Sequence, residues 1–79
     1  MQLTKEEAAY FGTLRKRIGA NILTARRNKK LSLYRLSKEV GINSHNLDLF
    51  ELGKKQITIE KLIKISSVLG VSPEHLMNE

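Results

Sequence analysis

Residues 32–54 read Ser-Leu-Tyr-Arg-Leu-Ser-Lys-Glu-Val-Gly-Ile-Asn-Ser-His-Asn-Leu-Asp-Leu-Phe-Glu-Leu-Gly-Lys. Ser32 offers a hydroxyl to an open helix N-terminus. Leu33, Leu36 and Val40 then recur at helical steps, so the spacing predicts a two-turn helix over 33–40. Gly41 supplies the left-handed residue that stops it. Asn43 is the next cap, and Leu47 and Phe50 form an apolar face. Gly53 ends this second helix before the polar loop Lys54-Lys55-Gln56. Ser37 is small where the second helix must come close. Leu36, Val40, Ile42, Leu47 and Phe50 are expected to point inward and set the angle between the two helices.

Two short helices joined by a glycine-containing turn have the spacing of a helix-turn-helix unit, here 33–52. Toward the N-terminus, Thr4-Lys5-Glu6-Glu7 reads as a capping box that starts a helix near Lys5. Phe11, Leu14, Ile18, Ile22 and Ala25 then make one apolar stripe that continues to about Asn28, which reads as one long helix with Gly12 and Gly19 as weak points and Gly12 as the place for a kink or break. Toward the C-terminus, Thr58 opens a helix that buries Leu62, Ile65 and Leu69 and stops at Gly70, and Ser72-Pro73 caps a brief last helix with Leu76 and Met77. No segment sustains a period of two and no repeat is present. The predicted fold is all-α with five helices: a domain over 18–79 and an N-terminal helical extension over 1–17, continuous with the first helix or kinked against it.

Seventy-nine residues allow one core, and 41% hydrophobic content is ordinary for a chain that folds. The absence of cysteine excludes disulfides and thiolate metal sites, and His45 and His75 lack ligand spacing, so neither metal nor cofactor is expected. Apolar runs fall far short of the roughly 20 residues that span a bilayer, and the first residues lack a signal peptide's apolar region; a cytoplasmic, nucleoid-associated protein with no membrane partner is expected. Paired carboxylates, a Ser/His/Asp set and a glycine-rich phosphate loop are all missing, so the chain does not read as an enzyme. Of the net charge of +6, residues 1–40 carry +7 (ten Lys and Arg, three Glu) and residues 41–79 carry −1. Arg15, Lys16, Arg17, Arg26, Arg27, Lys29 and Lys30 follow one another without an acid between them, which favours a polyanionic partner.

Ile18-Gly19, Ile22, Arg26, Leu31-Ser32, Leu36, Gly41-Ile42, Leu47, Phe50-Glu51, Gly53-Lys54, Leu62, Ile65, Leu69-Gly70-Val71-Ser72 and Leu76 together resemble the phage Cro and repressor type of helix-turn-helix family, the lambda-repressor-like or xenobiotic-response-element class, over residues 18–77. The resemblance implies a third helix that lies in the major groove of double-stranded DNA. It assigns base reading to Ser44, His45, Asn46 and Leu49, and phosphate contact to Asn43, Lys38, Lys54 and Lys55. Gly41 is its turn residue, and Arg26 and Glu51 are its ion pair between the first and third helices. Asn suits adenine, His donates to guanine acceptors, and Leu49 packs on a thymine methyl.

The chain departs from the family at Leu33, where Gln commonly contacts a phosphate, and at Asp48, an acid on the reading helix that is not expected to read bases. Arg15, Arg17, Arg27, Lys29 and Lys30 are expected near phosphate or water. The resulting expectation is a transcriptional repressor that occupies an operator as a homodimer, with dimer contacts from Val71, Leu76 and Met77 or from the extension. The alternative is an antitoxin-like or adaptor module whose protein partner docks on the extension through Leu3, Ala8, Tyr10, Phe11 and Leu14.

Overall fold

Each helix starts where a side-chain oxygen meets its first free amides. In the computed structural model, which describes residues 2–78, these helices are α1 (Lys5–Asn28), α2 (Leu33–Val40), α3 (Ser44–Glu51), α4 (Ile59–Leu69) and α5 (Pro73–Met77). Met1 and Glu79, the outer ends of the segments expected at 1–17 and 18–79, lie outside the described residues. The N-caps are Thr4, Ser32, Asn43, Thr58 and Ser72, each accepting from the amide three residues on. Thr4 and Glu7 complete the capping box in both directions. Among the described residues no helix is long and apolar enough to cross a membrane.

The core joins Ile18 and Ile22 of α1 to Leu36 and Val40 of α2, Leu47 and Phe50 of α3, Leu62, Ile65 and Leu69 of α4, and Leu76 of α5. Ile42 packs against this core from its edge, half-buried, and one expectation, a dimer contact from Leu76, is corrected. Phe11 is 40% exposed, at the edge of a groove that Ile57, Ile59 and Met77 also line. Leu76 is fully buried in its own chain, so it has no surface left for a dimer contact, whereas Met77 beside it is exposed.

α1 runs through both glycines as the one long helix expected, unbroken at Gly12. At ~1.5 Å per residue its 24 residues span about 36 Å, nearly the whole 38 Å long axis of the molecule. The radius of gyration, 12.5 Å, exceeds the roughly 11.6 Å of a compact chain this long because the first turns of α1 overhang the body. At its other end Lys30 adopts φ 59°, and the amides of Lys30 and Leu31 donate to the carbonyls of Arg27 and Arg26, a left-handed stop without glycine. The Asn21 side chain donates to the carbonyls of Leu76 and Asn78 and so holds the end of the chain against the middle of α1.

Gly19 is a contact rather than a weak point. A Cβ there would overlap the Phe50 carbonyl oxygen and stand 2.5 Å from that of Glu51, so α1 and the last turn of α3 touch backbone to backbone. At Gly12 the nearest atom to such a Cβ is the Arg15 guanidinium, 3.7 Å away. Urea unfolding is therefore expected to separate the two glycines. Gly12→Ala raises stability by about 0.5–1 kcal/mol through helix propensity, and Gly19→Ala lowers it by about 1–3 kcal/mol despite the same propensity gain.

Candidate nucleic-acid interface

α3 has only two turns, so its orientation depends on what grips its inner side. Leu47 and Phe50 fill the core, and Glu51 is buried beside them. The Arg26 Nε–H donates to Glu51 Oε2 at 2.8 Å and Nη2 donates to Oε1 at 3.0 Å, a bidentate pair that defines an angle as well as a distance. Nη1 donates to the Leu31 carbonyl at 2.9 Å, so one guanidinium ties α1, α3 and the turn into α2. The two side chains are 12% and 4% exposed. The hydrogen bonds to Glu51 raise the Arg26 pKa, burial opposes them, and the charges of Glu51 and Asp48 add to the rise. Asp48 thus lies on the side of α3 near Arg26.

The remaining candidates on α3 differ in exposure. His45 is exposed, and Ser44, Asn46 and Leu49 are half-buried along α3. The Asn43 side-chain oxygen accepts from the Asn46 amide at 2.7 Å, so this residue caps the helix. Gly41, at φ 83°, makes the turn between α2 and α3. Leu33 packs against the core from the first turn of α2.

The cations around this side come from three elements. Lys38, on α2, holds its ammonium 5.3 Å from the centre of the exposed Tyr34 ring. Lys54 and Lys55 are exposed in the loop after α3, and Lys55 Nζ donates to the Asn46 side-chain oxygen at 2.9 Å. Lys16 joins them from α1: its Cα and Cγ lie 2.7 Å from where a Cβ on Gly53 would stand, so its stem runs over that glycine beside Lys54. The sequence reading missed both the Asn46–Lys55 bond and the placement of Lys16, because neither has a local signature.

The basic block of α1 does not form one patch. Successive helical residues turn by about 100°, so neighbours in sequence face different ways. Arg15 borders an apolar groove, Lys16 crosses Gly53, and Arg26 turns inward. Lys29 donates to the Val68 carbonyl at 2.8 Å near the C-terminal end of α4, where a cation complements the helix dipole. Its ammonium is thus engaged within the fold rather than simply facing phosphate or water.

A family model for a helix-turn-helix domain matches residues 19–79. None of the curated proteins matches the chain. Among solved structures the chain is similar to the clp gene regulator ClgR from Corynebacterium glutamicum, with 27% identity over 80% of this chain and 67% of that one and a TM-score of 0.78. It is similar in fold to the restriction-modification controller protein C.AhdI from Aeromonas hydrophila, with 21% identity over 78% and 94% of the two chains and a TM-score of 0.76. The DNA-binding domain of BldD has the same fold, with 20% identity over 85% of this chain and 97% of that one and a TM-score of 0.75.

The Arg26–Glu51 geometry makes a testable claim about stability. Arg26→Met and Glu51→Gln each leave a buried partner stranded and are expected to cost about 3 kcal/mol, with the double variant losing far less than the sum. The exposed Arg35–Glu39 pair, 3.3 Å apart on α2, serves as the control and is expected to give additive losses in the same urea double-mutant cycle.

Proposed function

The chain belongs to the helix-turn-helix domain family, and from that premise we propose that it is a sequence-specific, double-stranded-DNA-binding transcriptional regulator that represses by occupying an operator as a homodimer. The observation that carries this reading is the asymmetry of α3. Its inner side is clamped by the bidentate Arg26–Glu51 pair and the core, while His45 is exposed, Ser44, Asn46 and Leu49 are half-buried, and Lys55 bonds Asn46. A rigid helix with short polar side chains fits a major groove, and cations to either side fit the phosphates that border it. The similarity to ClgR, a gene regulator, supports a regulatory role.

In this reading His45 donates to guanine acceptors, Asn46 pairs with adenine, Leu49 meets a thymine methyl and Ser44 bonds either edge. Lys38, Lys54, Lys55 and Asn43 meet the backbone, and Lys16 extends that clamp from α1. Phosphate contacts set affinity and salt dependence, whereas base contacts set preference. Two half-sites about one helical turn apart give a small domain usable specificity, hence the homodimer. Transcription from a promoter that overlaps the operator falls when the chain is supplied.

Selection from random duplexes, followed by titration at several salt concentrations, tests the assignment. Affinity is expected to fall steeply with salt. Lys54→Ala weakens all duplexes alike and makes the salt slope shallower by about one, whereas Ser44→Ala and His45→Ala change which duplex is preferred. Lys55→Ala does both, because Lys55 also holds Asn46. A protein-only adaptor would select no duplex and show no such slope.

A further inference from the structure

The overhang of α1 lies beside an apolar face that the fold leaves uncovered. Phe11, at 40% exposure, borders a groove of about 170 Å³ whose lining includes Leu14, Ile57, Ile59 and Met77. Ile59 is 73% exposed, and Ile63, one turn along α4, is 50% exposed. Large aliphatic side chains grouped across three elements mark an interaction surface rather than scattered surface residues.

The order of residues on α1 indicates what covers this face. The side of the helix that carries Phe11 also carries Glu7, Ala8, Leu14 and Arg15 at helical spacing. Counted outward from Phe11, Ala8 and Leu14 are each three residues away, and Glu7 and Arg15 are each four. A two-fold axis at Phe11 therefore sets small Ala8 against larger Leu14 and acidic Glu7 against basic Arg15, each pairing occurring twice. A parallel arrangement would instead place Glu7 on Glu7 and Arg15 on Arg15. Two copies of a chain with net charge +6 repel on average, so a face whose charges pair in this two-fold arrangement and oppose one another in the parallel one is suited to its own twin.

We propose that this face is covered by a second copy of the chain, through an antiparallel contact of the two α1 helices about an axis at Phe11, with Ile59, Ile63 and Met77 widening the interface toward the roughly 800 Å² per partner that specific contacts bury. The proposal deepens the homodimer in the function proposed above and rests on that reading for its purpose, while the contact itself needs no DNA.

Sedimentation of the full chain without DNA tests it. Wild type is expected to be dimeric at about 100 µM. Arg15→Glu opposes two pairs of carboxylates and is expected to weaken dimerisation about tenfold or more, and Glu7→Arg combined with Arg15→Glu restores it. Because the sequence has no cysteine, Phe11→Cys places one thiol at the axis and is expected to give a covalent dimer on oxidation. Tyr10→Cys, on a neighbouring side of α1, is expected to stay monomeric. A monomeric wild type, or equal cross-linking at the two positions, overturns the proposal. A monomer that still selects an operator would sink this interface and leave the DNA-binding reading intact; a dimer of this form that selects no duplex would do the reverse.

Discussion

How closely α1 can approach the last turn of α3 governs the orientation of everything that follows. Gly19 has no side chain, so the carbonyls of Phe50 and Glu51 come against the α1 backbone. Gly53 likewise lets the Lys16 stem pass. At that spacing the Glu51 carboxylate reaches Arg26, two turns along α1 from Gly19, with both of its oxygens. A longer separation would leave a carboxylate and a guanidinium buried apart, at a cost of several kcal/mol. The ion pair adds little net stability over an apolar pair of the same shape. Its effect is angular, since a two-pronged bond tolerates little rotation of α3 about its own axis.

The helix boundaries were legible because their causes are local. Thr4, Ser32, Asn43, Thr58 and Ser72 act on amides within three residues, and Gly41 and Gly70 take the left-handed conformation their positions require. What the sequence reading missed has distant causes. Gly19 reads as a flaw in a helix until α3, some thirty residues away, is laid against it. Phe11 continues an apolar stripe, but a stripe does not reveal that its side chain borders an open groove. Lys30 occupies a left-handed position without glycine's signal, since the Arg26 and Arg27 carbonyls hold it there. At the interface, the pairing of Arg26 with Glu51 was anticipated from family resemblance alone; residue spacing could not have supplied it. The bond between Asn46 and Lys55 joins a helix to a loop, and no pattern in the sequence announces it.

Charge teaches a similar lesson. Seven cations between residues 15 and 30 look like one patch in a linear sequence. On a helix they separate into different environments: an internal anchor at Arg26, a cation near the end of α4 at Lys29, a neighbour of the Gly53 loop at Lys16 and the rim of an apolar groove at Arg15. Net charge speaks to the class of partner, while the helical period decides which cations can face that partner together.

The short helix α5 is tied into the core. A five-residue helix has no independent existence in water, because nucleating a turn outweighs the few bonds it makes. Yet α5 places Leu76 among the fully buried side chains, and Asn21 binds the carbonyls of Leu76 and Asn78 from the middle of α1. Opening α5 uncovers Leu76 and the core around it, a cost that a free terminal turn does not carry. The last turn, closed where the Asn78 amide donates to the Glu74 carbonyl at 3.1 Å, thus acts as a latch that keeps Leu76 seated against α1.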